Sequence, residues 1–129
     1  MDGVLIIDKP AGITSHDVVG RARRILRERR IGHTGTLDPF ATGVLVLLIG
    51  NATRLSQFLS GADKEYQAVI RLGYSTDTGD INGTALETTR VTERELNWSN
   101  DEIKTALQQL CGETTQVPPM YSAKKHKGQ

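Results

Sequence analysis

The chain's 129 residues suffice for one domain and are too few for two with separate cores. Hydrophobic residues at 37% and charged residues at 24% exclude a disordered or collagen-like polymer, and the longest apolar run, Val44 to Ile49, falls far short of the roughly 20 residues that span a bilayer. The net charge of +1 divides into +3 over residues 1–54, −5 over 55–113 and +3 over 114–129, so the expected surface is bipolar.

Val4-Leu5-Ile6-Ile7 reads as a buried strand that ends in the turn Asp8-Lys9-Pro10-Ala11-Gly12. Asp2, Asp8, Lys9 and Pro10 break up this apolar opening, so it does not read as a signal peptide. Thr14 and Asp17 have capping-box spacing. Val18, Val19, Ala22, Ile25 and Leu26 then form one stripe of a helix expected to run to about Arg29. Six arginines against the single Glu28 in residues 21–30 make this the densest charge in the chain.

Residues 31–39 read as a loop rich in Gly and Thr. The unalternating run Val44 to Ile49 suits a strand covered on both faces. Leu55, Phe58 and Leu59 give a short helix its apolar side, and residues 65–72 alternate as a strand. The turn Asp80-Ile81-Asn82-Gly83 predicts a hairpin into residues 84–91. Ser99 and Glu102 make a second capping box, before a helix with Ile103, Ala106, Leu107 and Leu110 on one face that stops at Gly112. Residues 117–121 leave as an extended segment. The fold class is α+β, a mixed and largely antiparallel sheet with flanking helices.

Several chemistries lack their motifs. Neither a phosphate loop, a dinucleotide fingerprint nor a nucleophile elbow occurs, so no cofactor is expected. His16, His33 and His126 lie far apart, so no metal site is expected either. The single Cys111 excludes an internal disulfide, which points to a cytoplasmic compartment; placed beside Leu110, it reads as a small buried hydrophobe.

Asp38 stands out because the following Pro39 restricts its backbone and fixes the direction of its carboxylate. Beside arginines and an apolar floor, it is a candidate nucleophile or general base; alternatively it only organises a turn. The arginine helix can grip a phosphate backbone, or merely solvate one face. Tyr66 is a core aromatic or a platform for a nucleobase. His33 is a loop cap or a polar wedge facing RNA.

Gly32-His33-Thr34-Gly35-Thr36-Leu37-Asp38-Pro39-Phe40-Ala41-Thr42-Gly43, followed by an apolar strand and Gly50-Asn51-Ala52-Thr53-Arg54, resembles the signature of bacterial TruB-type tRNA pseudouridine synthases. Asp8 to Ser15, Asp63 to Tyr66, Leu72-Gly73 with Thr76 to Asp80, and Pro118 to Ala123 resemble the family's other motifs in order and spacing. The resemblance implies a pseudouridine synthase-like catalytic domain and an isomerase that converts the T-loop uridine of tRNA, position 55, into pseudouridine without cofactor or metal. It implies Asp38 as the catalytic carboxylate, Tyr66 stacking on the target base, and His33 filling the gap left when that base is flipped out. The implied partner is the tRNA T-arm stem-loop, with neither membrane nor obligate protein partner. A non-catalytic RNA stem-loop binding module on the same scaffold is the alternative.

Against that family, residues 1–129 correspond to the N-terminal part of the catalytic domain, with 118–129 the start of an RNA-clamping insertion. The resemblance implies a remainder of that domain, with an arginine that pairs with the aspartate, and a C-terminal RNA-binding domain, neither of which is expected within residues 1–129. An aspartate without its arginine loses orientation and charge balance, so the isolated chain is expected to be inactive or nearly so.

Overall fold

A computed structural model of the chain describes residues 1–86, 97–115 and 117. Contacts divide the chain into two units, Met1–Gln67 and Ala68–Gln129.

In the first unit the run Val4 to Ile7 lies inside strand β1 (Gly3–Lys9). Helix α1 (Ser15–Leu26) starts where the capping box placed it. Thr14 Oγ1 accepts the Asp17 N–H at 3.0 Å, and Asp17 Oδ2 accepts the Thr14 N–H at 2.9 Å. The helix stops three residues short of the expected end. Arg27 takes a left-handed conformation (φ 51°), which ends the turn and sends the chain towards the sheet.

Residues 31–39 are not wholly loop. Ile31–His33 form β2, three residues paired with β3 (Gly43–Ile49) in the register Ile31↔Ile49, Gly32↔Leu48 and His33↔Leu47. So short a strand leaves no periodicity to read, and its pairing partner supplies what the sequence does not. The sheet order is β1-β3-β2, antiparallel throughout, which makes the architecture α+β as expected. Because side chains alternate, Leu5, Ile7, Ile31, Leu45, Leu47 and Ile49 share one face. Apart from Leu5, which is 37% exposed, that face packs on Val18, Val19 and Ala22 of α1 to form the core, so of the run Val4 to Ile7 expected to be buried only Ile7 reaches it.

The opposite face departs from expectation. Leu48 is buried, but Val44 is 70% exposed, and Val4 and Ile6 beside it are exposed as well. The run in β3 therefore fails to alternate because both its sides are apolar, although only one is covered along its length. Ile25, placed in the helix stripe, is also 79% exposed. A 3-10 helix (Gly50–Leu55) and the short α2 (Ser56–Leu59) follow, with Leu55, Phe58 and Leu59 exposed rather than packed. Residues 65–72 form no strand. Their alternation has no partner strand among the described residues, and a strand without a ladder has no hydrogen bonds to hold it.

In the second unit Thr76 pairs with Ala85 across the turn at 77–84. Asp80 organises it: its Oδ1 accepts the Asn82 N–H and the Thr78 hydroxyl, each at 2.8 Å, and its carbonyl accepts the Gly83 N–H at 3.3 Å. The pairing agrees with a hairpin, although residues 87–91 of the expected second strand lie outside the described residues. Helix α3 (Asn100–Gln108) carries the Ser99–Glu102 capping box and ends before Gly112. Ile103, Leu107 and Leu110 are exposed. Cys111 is exposed too, so it is not the buried hydrophobe expected; its helix face is uncovered. The proposed clamp at 118–129 lies outside the described residues.

Candidate active site

Asp38 sits in the connection from β2 to β3, which is held on both sides of the aspartate. On one side Ser15, 2% exposed at the start of α1, accepts the Leu37 N–H at 2.9 Å and donates to the Leu37 carbonyl at 3.1 Å. On the other side the Pro39 carbonyl accepts the Gly12 N–H at 2.8 Å and Lys9 Nζ at 3.3 Å. Lys9 is completely buried. Its ammonium also donates to the carbonyls of Ile13 at 2.8 Å and Pro10 at 2.9 Å, so three N–H groups meet three carbonyl oxygens. Those contacts satisfy a buried cation with oriented dipoles rather than with a counter-charge.

Sequence reasoning missed Lys9 and Ser15 as parts of the site. One signal was available: Lys9 is the single lysine in residues 1–63, where every other cation is arginine. A compact ammonium suits three converging carbonyls, whereas a planar guanidinium does not.

The Asp38 side chain itself is exposed and makes neither a hydrogen bond nor an ion pair among the described residues. Proximity to the arginines, suggested by the sequence, does not become a contact; only the Asp38 carbonyl is engaged, by the Ala41 N–H at 3.0 Å. His33 ends β2 in the same connection and is half-buried. Its Nδ1 is buried without a hydrogen-bond partner, so any contact the ring makes outward falls to Nε2.

Tyr66 is 67% exposed on the extended segment after α2 and is not part of the core of the described residues. No hydrogen bond joins it to His33 or Asp38 among the described residues. Its neighbour Lys64 passes close to Gly35, where an added Cβ would lie 3.5 Å from Lys64 Cε. Lys64 Nζ is tied to the carbonyls of Ser60 and Ala62 at 3.0 and 2.9 Å, bonds that stay within its own segment.

The arginines divide into two sets. Arg23 donates to the Ile31 carbonyl at 2.8 Å, and Arg30 donates to Thr53 Oγ1 and Asn51 Oδ1 at 3.0 and 3.1 Å. Arg21, Arg24, Arg27 and Arg29 are exposed and make no hydrogen bond through their side chains among the described residues. Among those residues no group of His, Cys, Asp and Glu side chains could hold a metal ion. No described helix is long and apolar enough to cross a membrane.

Asp38 thus stands exposed between two braced backbone positions, Leu37 and Pro39. Residues 23–129 match the family model of the TruB family pseudouridylate synthase N-terminal domain. The chain belongs to this family. Among curated TruB relatives, the tRNA pseudouridine synthase B of Aromatoleum aromaticum is 52% identical over 128 residues, covering 99% of this chain and 40% of the relative. That of Opitutus terrae is 51% identical, with 52% of the relative covered. This chain thus spans about two-fifths to one-half of these TruB proteins. This chain is similar in fold to a chain in the crystal structure of a Cbf5-Nop10-Gar1 complex, with a TM-score of 0.60 and 31% identity over 95% of this chain and 31% of that one.

Proposed function

We propose that this chain supplies the catalytic aspartate and the base-handling residues of an enzyme that isomerises the T-loop uridine of tRNA, position 55, to pseudouridine. The observation that carries this reading is Asp38: a carboxylate exposed and unpaired, on a backbone held rigid at Leu37 and Pro39. Whether it attacks the sugar or deprotonates it, the group must reach the ribose unencumbered, and its placement must be fixed in advance. The C1′–N1 bond breaks, the uracil turns, and a C1′–C5 bond forms. The proton on C5 leaves and N1 gains one, so atoms balance with no redox partner.

The target base must first leave the loop of the stem-loop, at a cost of a few kcal/mol in lost stacking. Tyr66 is exposed and available for the extracted ring to stack on. His33, projecting from the rigid end of β2, occupies the space the base vacates. Such a base is read in a cytoplasmic enzyme without cofactor, metal or obligate protein partner. Residues 118–129 begin the clamp on the T-arm, and the rest of the catalytic domain supplies an arginine for Asp38. The isolated chain accordingly turns over little or no RNA.

The test uses a chimaera in which residues 1–129 replace the matching stretch of the Aromatoleum aromaticum relative. Tritium release from a T-arm hairpin carrying [5-³H]uridine follows the loss of the C5 proton. The chimaera should release tritium, and Asp38→Asn should abolish release while leaving hairpin binding within about twofold. Full release by Asp38→Asn would overturn the catalytic role of Asp38, whereas a folded chimaera that binds the hairpin and releases no tritium would reduce the chain to an RNA-binding module.

A further inference from the structure

Ser15 carries a buried hydroxyl that the reaction as described does not use. Its Oγ receives the N–H of Leu37 and donates to the carbonyl of the same residue, at 2.9 and 3.1 Å. The N–H belongs to the peptide plane before Leu37, and the carbonyl to the plane that leads into Asp38. One oxygen thus holds both planes, as a partner strand would, where no strand runs. Leu37 also packs its side chain against the core, so the residue cannot turn without leaving both contacts.

Ser15 is itself immobile. It opens α1, directly after the Thr14 cap, and α1 buries Val18, Val19 and Ala22 against the sheet. Pro39 removes helical geometry from Asp38 on the far side. The Asp38 carbonyl is held by the Ala41 N–H, so the backbone entering the aspartate is set at Leu37, and Leu37 is set by Ser15. We propose that Ser15 is the positioning residue for Asp38: through the Leu37 backbone it couples the first turn of α1 to the direction of the reacting carboxylate. The proposal rests on the reading of Asp38 as the group that acts on the ribose. A displacement of about 1 Å at a reacting group can cost about a hundredfold in rate, so a hydroxyl that never touches RNA governs turnover.

The experiment has two arms. In the 129-residue chain, amide hydrogen exchange at Leu37 is compared between the parent, Ser15→Ala and the near-isosteric Ser15→Cys, whose sulfur is a weaker donor and acceptor. In the chimaera, kcat and KM for the T-arm hairpin are measured for the same variants. Expected are faster Leu37 exchange and a fall in kcat of about 10- to 100-fold for Ser15→Ala. Ser15→Cys should lie between parent and Ala, with KM unchanged within twofold throughout. Unchanged kcat, unchanged Leu37 exchange, or a loss confined to KM or accompanied by loss of helix would each overturn the proposal. Asp38→Asn serves as the separate control: if it retains turnover, the reading of Asp38 fails, whereas Leu37 exchange still reports whether Ser15 holds the loop.

Discussion

Lys9 Nζ reaches across thirty residues of sequence to the carbonyl of Pro39, the residue after the candidate catalytic Asp38. The same ammonium closes the turn after β1 through Pro10 and Ile13, so the turn and the aspartate loop share one cation. Replacing it takes a donor from the carbonyls of Pro10 and Ile13 and leaves that of Pro39 with the Gly12 N–H alone. Lys9→Met should lower unfolding free energy by about 3 kcal/mol, and Lys9→Arg should restore little of that because its planar donors do not converge. Urea titration followed by circular dichroism measures both; a Lys9→Met loss under about 0.5 kcal/mol would remove the lysine from the brace.

Arg27 ends α1 with φ at 51°, a region that costs a residue with a side chain about 1 kcal/mol. Arg27→Gly should therefore raise stability by up to about that amount. If its guanidinium also meets a phosphate, the same change should weaken binding of the T-arm hairpin. Stability and affinity would then move in opposite directions, an outcome that a solvated arginine does not produce. Thermal unfolding and a filter-binding isotherm on one preparation decide it.

The capping box of α1 makes stability depend on pH. The Thr14 hydroxyl and N–H both donate to the Asp17 carboxylate, and they hold it below the ordinary aspartate value of about 3.9. A carboxyl depressed in the folded state stabilises above its unfolded pKa, and that contribution disappears as pH falls through the folded one. Stability should thus decline as pH drops below about 4, and Asp17→Asn should flatten that limb. Melting curves from pH 7 to pH 3 read the difference; parallel curves would show the box to be inert.

How far the sequence reveals this molecule depends on the range of each interaction. Helix starts at Thr14 and Ser99 were legible because a capping box is complete within four residues. Asp38 was legible because Pro39 constrains it locally. Burial was not: Val44, Phe58 and Cys111 look like core residues by composition, yet what covers a face is decided by other elements. Residues 65–72 failed for the same reason, since alternation prepares a strand but does not supply its neighbour. Lys9 and Ser15 were not legible because the bonds that tie them to the aspartate loop go to backbone atoms 30 and 22 residues away, and any residue type can offer a carbonyl.

Backbone partners also separate the arginines that look identical in sequence. Arg23 spends its guanidinium on the Ile31 carbonyl at 2.8 Å, at the head of β2, whereas Arg24 beside it makes no such bond. Arg23→Ala should cost about 1 kcal/mol of stability and leave the salt dependence of hairpin binding as it was. Arg24→Ala should change stability by less than about 0.5 kcal/mol but flatten the dependence of log K on log salt by just under one unit. Arg21 and Arg27 should behave as Arg24 does in binding, and their effects should add, because each phosphate contact releases its own counterions. Binding isotherms of the chimaera from 50 to about 300 mM salt measure all four slopes. An Arg23 slope lower than that of Arg24 would reverse the assignment, placing the phosphate contact on the arginine that the sheet already holds.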